Sequence, residues 1–313
     1  MAAPFFGYHL PNYSFPGIAD DALFDHVADT AVAAEKAGFD MVTVMDHFYQ
    51  IRNVGAETEP MLESYTTLAA LSQRTKTIYL SALVTGVTYR NPALLAKMVT
   101  TLDVLSKGRA ILGLGAAWNE DEHAGYGFEF PPFGRRMDRL DEAAHIAKLM
   151  FTEERPTFTG KYFRIDRALN VPRPIQVGGP RLLIGGAGEQ RTLRIVAKYA
   201  DISNWFPGLE DIKRKVGILE RYCEEEGRDP ATILKTVMAP CLLALDEAQA
   251  RQLKERIPPE RLAMTGDPIL PDHAAEMLQP YLDAGMGGFT FGNPNLSTPE
   301  LIAAAGEVKR QLS

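Results

Sequence analysis

Short apolar runs rich in β-branched residues alternate along the chain with longer stretches whose apolar positions recur every three or four residues. The first pattern marks strands, the second helices packed by one face. Strands are predicted over Phe5–Leu10, Met41–Met45, Thr77–Thr85, Arg109–Leu114, Leu182–Ile184, Asp201–Asn204, Leu234–Leu245 and Phe289–Phe291. After the first strand, Asp20 or Asp21 caps a helix whose Leu23, Phe24, Val27, Ala31 and Ala34 share a face, and Gly38 stops it. Pro60 opens a helix through Leu71. Asn91-Pro92 gives a cap followed by proline at the first helical position, for a helix that ends at Gly108. Further helices carry Met137–Phe151, Leu193–Tyr199, Leu209–Glu226 and Asp272–Ala284, and Thr298-Pro299 caps the last.

This alternation predicts a (β/α)8 TIM barrel, residues 1–313 forming a single domain, rather than an open doubly wound sheet. In such a barrel the carboxyl ends of the strands share one face, and catalysis sits there. Four connections are longer than usual: His47–Glu59, Ala117–Gly134, Thr152–Arg181 and Arg256–Pro271. All four are expected on the catalytic face, as insertions that wall or cover a substrate. Within the third, alternation around Gly160-Lys161 predicts a small hairpin.

Composition narrows the function class. The chain has 313 residues, 46% apolar and 23% charged, with a net charge of −7 and no basic block, so neither nucleic acid nor an anionic membrane is an expected partner. Cys223 and Cys241 fall in a helical and a strand-like pattern and read as reduced packing residues. The N-terminus lacks the features of a signal peptide, and no uncharged apolar stretch could span a bilayer. A cytoplasmic protein acting on a small molecule, as a homodimer, is expected.

The chemistry is concentrated where predicted strands end. Val42–Phe48 reads VTVMDHF, a buried strand that stops abruptly at Asp46 and His47. Imidazole changes charge near neutral pH, which suits an acid or base; the alternative is a turn cap beside a satisfied polar residue. Ile184–Gly188, IGGAG, lies between a strand and a helix, where glycines let backbone N–H groups approach an anion, or simply make a turn. Gly113–Glu120, GLGAAWNE, leaves room for a flat ring or a polyol chain beside the backbone, or is a turn with Trp118 beneath it. Ser81–Thr88 could press on a planar ligand at Thr85, or be plain core. Asp121-Glu122-His123 lacks a second imidazole four residues on and reads as a solvated helix start. The six histidines form no zinc pattern, and no metal is expected.

Together these segments resemble the luciferase-like monooxygenase superfamily, in its branch that binds the deazaflavin coenzyme F420. The likeness rests on VMDHF, TGVTYRNPALLAK, GLGAAWNEDEHAGYGFEFPPFGRRMDRLDEA and LLIGGAGEQRTLRIVAKYADISNW. The resemblance implies that Asp46 and His47 sit beside the reactive ring edge, with His47 catalytic. It places a non-proline cis peptide at Ala82-Leu83, behind the ring, and a ring contact at Thr85. Gly115, Ala116 and Asn119 would lie near the ribityl chain, and Gly185, Gly186 and Ala187 would clamp the phosphate. Trp118 and Trp205, with Tyr126 and Phe128 from a loop, would wall the substrate pocket.

One departure stands out. The sugar-phosphate dehydrogenases of the family carry a catalytic glutamate after strand four. Here that loop is two residues shorter and reads Gly-Ala-Ala-Trp, without a carboxylate at the matching place, which argues against a sugar phosphate. The expected reaction is hydride transfer between the deazaflavin C5 and a small organic substrate. The rival coenzyme is FMN, in a monooxygenase using reduced flavin and oxygen; a more distant rival is a non-redox barrel binding a phosphorylated ligand.

Overall fold

The computed structural model describes all residues except 1, 2, 53, 207, 258–261, 263–265 and 293–295. Eight parallel strands close a barrel: β1 Phe5–Leu10, β2 Met41–Val44, β3 Tyr79–Ala82, β4 Ala110–Gly115, β5 Arg181–Gly185, β6 Ile202–Trp205, β7 Leu234–Met238 and β8 Gly288–Phe291. Neighbours pair in chain order, and β1 closes on β8 with Phe5 opposite Gly288. The expected (β/α)8 architecture is the observed one. A two-residue strand, Thr85–Gly86, continues beyond β3 and pairs with Leu114 and Gly115.

Period-two alternation decides what faces where. Phe6, Tyr8 and Leu10 join the core between strands and helices, whereas Met41, Ile111, Leu183 and Ile202 meet inside the barrel with Phe5, Tyr79 and Leu234 packed against them. The barrel also holds a polar layer. His9 Nδ1 meets Thr43 Oγ1 at 2.8 Å, and the Asn204 amide donates to Thr236 Oγ1 at 2.9 Å and Thr290 Oγ1 at 3.0 Å. Burial first, then the positive field of His47, lowers the His9 pKa to about 4, so His9 is neutral at physiological pH.

Several expected boundaries move. The helix expected from Pro60 begins at Ser64, where the Glu63 carboxylate accepts the Thr66 N–H at 2.7 Å. β7 ends at Met238 rather than Leu245, because Pro240 has no N–H for the ladder. Leu242–Leu243 then pairs with Pro268–Ile269 outside the barrel, and an unanticipated helix, Glu247–Arg256, intervenes. Much of the connection Arg256–Pro271 lies outside the described residues.

The connection Thr152–Arg181 is also relocated. It leaves the end of the helix Phe133–Thr152 and enters the start of β5, so it begins and ends on the face opposite the catalytic one. Its later part is tied there, with Ile175 N–H donating to Asp103 at 2.7 Å and the Gln176 side chain donating to Ala110 O at 2.7 Å. The expected hairpin forms, with Phe158 opposite Ile165. It is held by Glu142, which accepts the N–H groups of Lys161 at 2.6 Å and Phe163 at 2.9 Å.

Candidate active site

β2 delivers Asp46 and His47 to the mouth of the barrel, and they take different roles. Asp46 is buried and its oxygens are spent on protein partners: Ser64 Oγ at 2.5 Å, Arg90 Nη1 at 2.8 Å and Gly86 N–H at 3.1 Å. Arg90 also reaches Glu63 at 2.7 Å and lies over the Tyr65 ring. This network fixes the turn that carries His47 rather than presenting Asp46 to a ligand.

His47 Nδ1 lies 2.6 Å from Glu122 Oε2. A carboxylate can only accept, so Nδ1 carries the proton and Nε2 is left for the mouth. Glu122 is 0% exposed. Its other oxygen accepts the Phe48 N–H at 2.6 Å and the Tyr49 N–H at 3.4 Å, and Tyr89 Oη donates to Oε2 at 3.1 Å. Burial opposes the charge on Glu122, but the hydrogen bond and positive field of His47 and the two amides outweigh it. The carboxyl is held below its ordinary value of 4.5.

This corrects the expectation of a solvated helix start. Asp121 is exposed, but Glu122 and His123 point inward from the helix Glu120–Tyr126. His123 donates from Nδ1 to Asn119 O at 2.6 Å and meets Thr88 Oγ1 with Nε2 at 2.7 Å. Among the described residues no group of His, Cys, Asp and Glu is arranged to hold a metal.

The other expected residues divide into those brought to the mouth and those turned away. Trp118 stands edge-on to His47 with ring centroids 5.3 Å apart, and is 61% exposed. Tyr126, the last residue of its helix rather than a loop residue, stacks on Phe48 at 4.5 Å, and Phe128 stacks on the same ring at 5.6 Å. Trp205 does not belong to this wall. Asn204 faces the barrel interior, so the next residue must face the helices; Trp205 is wholly buried, its indole N–H donating to Ser203 Oγ at 2.6 Å.

The bulge after β3 falls one residue later than expected. Ala82 still pairs with Val44, and Leu83 N–H still donates to Val44 O at 2.8 Å, so the ladder runs past Ala82. The cis peptide is Leu83–Val84. Ala82 is wholly buried, and the Thr85 hydroxyl is bonded to Tyr65 Oη at 2.7 Å. Leu83 and Val84 are the half-buried members of the segment. Val84 also explains two glycines: a Cβ on Gly115 would stand 2.5 Å from its Cγ2, and one on Gly185 would stand 2.9 Å away.

The loop after β5 is built from backbone. Gly186 has φ +102°, a region closed to other residues, and its N–H donates to Asn204 O at 2.9 Å. Ala187 is half-buried and opens the turn toward the helix Thr192–Tyr199. Across the mouth, Ala116 O accepts from Arg136 Nε at 3.1 Å, and the half-buried Asn119 makes no side-chain cap for its helix. A separate open hollow, lined by Arg181, Asp201, Leu234 and Lys235, lies at the strand N-termini, far from His47. Residues on that face of such a barrel ordinarily serve stability rather than chemistry.

Comparison with known proteins agrees with the fold. Residues 5–306 match the family model described as luciferase-like monooxygenase. A relative from Intrasporangium calvum, named F420-dependent glucose-6-phosphate dehydrogenase, is 32% identical over 301 residues, covering 83% of this chain and 86% of its own. An F420-dependent secondary alcohol dehydrogenase, solved with an F420-acetone adduct, superposes with a TM-score of 0.82 at 20% identity, covering 99% of each chain. An EDTA monooxygenase from Chelativorans sp. BNC1 superposes with a TM-score of 0.81 at 17% identity, over 98% of this chain and 93% of its own. At those identities the two structures speak for the fold alone.

Proposed function

The chain belongs to the luciferase-like monooxygenase family, and we propose that it is an F420-dependent oxidoreductase that moves a hydride between the deazaflavin C5 and a small organic substrate. The F420-dependent relatives support the coenzyme. The single observation that carries the chemistry is the buried Glu122 holding the His47 Nδ1–H, with Nε2 left for the mouth.

The residues present fit the coenzyme. After β5, a Cβ on Gly186 would meet only Thr192 Cγ2 at 3.8 Å, so the backbone there is open to an approaching phosphate. Gly185, Gly186 and Ala187 are the clamp: the Gly186 N–H is spent on Asn204 O at 2.9 Å, and the amides from Ala187 onward meet the phosphate as glycine-rich turns before helices do. Leu83 and Val84 form the apolar surface behind the ring, with Gly115, Ala116 and Asn119 along the polyol chain. When bound, F420 supplies a carbon centre that accepts or gives two electrons as hydride. His47 Nε2 takes the hydroxyl proton of a substrate being oxidised, or returns it in the reverse direction. Glu122 fixes the His47 tautomer, and Asp46 and Arg90 hold the turn beneath. Trp118, Tyr126 and Phe128 wall the substrate.

Residues 1–313 act as one domain in the cytoplasm, a placement the buried free Cys223 and Cys241 support; no described helix is long and apolar enough to cross a membrane. A homodimer is supported by exposed Leu94 and Leu105 on the helix Pro92–Ser106 and by Val171, Ile175 and Val177 in the strap along it. The reading is tested by anaerobic turnover. Reduction of F420 by a substrate alcohol proceeds undiminished without oxygen; a strict need for oxygen and reduced FMN would overturn it.

A further inference from the structure

We propose that the substrate is an uncharged alcohol, or the matching carbonyl compound, bearing a planar apolar group that lies against Trp118. The proposal rests on the F420-dependent reading of the site and names its substrate class. Trp118 and Tyr126 are 61% and 56% exposed, large for side chains of this kind, and they flank the catalytic pair. Glu122 and Tyr126 are four residues apart in one helix and share a face, and Trp118 stands just before that helix with its ring on the edge of His47. Phe48, Phe128 and Tyr89 back this wall, Phe48 lying 4.7 Å from Tyr89. A flat apolar group placed there removes exposed aromatic surface from water and gains offset or edge contacts.

Charge points the same way. Glu120 and Asp121 follow Trp118 after Asn119 and are exposed, and the Tyr49 phenol is held above its ordinary value by burial and then by Glu122, Asp121 and Glu57. The cations on the segments around the dyad are engaged. Arg52 faces Asp121 at 3.6 Å, Arg90 is bound to Asp46 and Glu63, and Arg135 faces Glu129 at 3.3 Å. Arg136 donates to Ala116 O and Pro131 O and covers the Phe130 ring. A phosphate beside His47 would meet an acidic rim with no free partner among these groups, whereas a neutral ring meets none of that cost. In the oxidising direction the carbinol C–H bond breaks and its electron pair leaves as hydride to the deazaflavin C5. The O–H proton passes to His47 Nε2, and the C–O bond becomes a carbonyl.

The sequence has two tryptophans, and only Trp118 reaches solvent, so its emission reports this wall directly. The full chain is titrated with 1-phenylethanol, 2-propanol and glucose 6-phosphate while iodide quenching is followed, and kcat/KM is then measured with F420. We expect 1-phenylethanol alone to protect Trp118 from iodide, and its kcat/KM to exceed that of the other two by about tenfold or more. Trp118→Leu should abolish the protected emission and erase most of the preference for the phenyl substrate over 2-propanol. Protection by an aromatic alcohol without any F420 turnover leaves the substrate class standing and removes the coenzyme reading. Equal or better protection or turnover with glucose 6-phosphate, or no protection by any of the three, overturns the proposal.

Discussion

Around β2 and β4 the catalytic mouth is assembled from side chains that hold one another: Glu122 receives His47, Tyr89 and two amides, and Asp46 receives Ser64, Arg90 and Gly86. After β5 the mouth is instead a run of backbone, Gly185–Gly188, shaped by the positive φ of Gly186. The two regions suit different work. Moving a proton needs a titratable group in one tautomer, which a buried carboxylate supplies. Holding a phosphate needs several N–H groups close together, which side chains would obstruct. On the proposed reading one side of the mouth reacts and the other grips, and damage to each should appear in a different measurement.

The sharpest break between them is His47→Ala. It should lower the single-turnover rate of hydride transfer by about 10²–10⁴-fold while leaving the F420 dissociation constant near its wild-type value. A rate within about twofold of wild type would remove His47 from the chemistry. Glu122→Gln should cost no more than that, up to about 10⁴-fold in turnover, because the base remains but loses its fixed tautomer. If turnover is untouched, Glu122 is only a tether for the Phe48 turn.

The reciprocal variant is Gly186→Val. A β-branched residue at φ +102° is strained wherever there is room for its side chain. It should weaken F420 binding by about tenfold, the cost of about 1.4 kcal/mol. A deazaflavin fragment lacking the phosphate should bind nearly as it does to wild type. Equal loss for both ligands would make the glycine pair a structural turn.

The smallest effect concerns acid stability. The Glu122 carboxyl has its folded-state pKa below the ordinary 4.5, so its contribution is present above that value and is lost as pH falls through the folded pKa. Urea unfolding of Glu122→Gln should show a flatter acid side, by no more than about 1.4 kcal/mol per pH unit. An unchanged slope would mean that the carboxylate gains nothing from its partners on folding.

The two regions also differ in how far they could be read from sequence. The proposed backbone clamp is local: Ile184–Gly188 carries its whole signal in five consecutive residues between a strand and a helix. The dyad joins residues 75 apart, and a helix opening with Glu120, Asp121 and Glu122 looks like ordinary first-turn acid. A usable signal was present in the spacing, since Glu122 stands four residues from Trp118 and four from Tyr126, which gives it an aromatic flank rather than a solvated one. Trp205 lies one residue from a mouth-facing position, and in a strand one residue reverses the face. The connection Thr152–Arg181 differs from expectation for a topological reason: a helix-to-strand link in a parallel barrel returns on the face away from the strand carboxyl ends. The barrel itself was legible because eight alternations repeat one pattern, and an error at any single boundary, such as that at Pro240, leaves the count intact.

The central claim is that this mouth is made for a deazaflavin coenzyme, and parallel fluorescence titrations of the purified protein with F420 and FMN test it most directly. The account predicts at least about tenfold tighter binding of F420, a difference of about 1.4 kcal/mol. Equal or tighter binding of FMN would contradict it and move the chain to the flavin monooxygenases of its family.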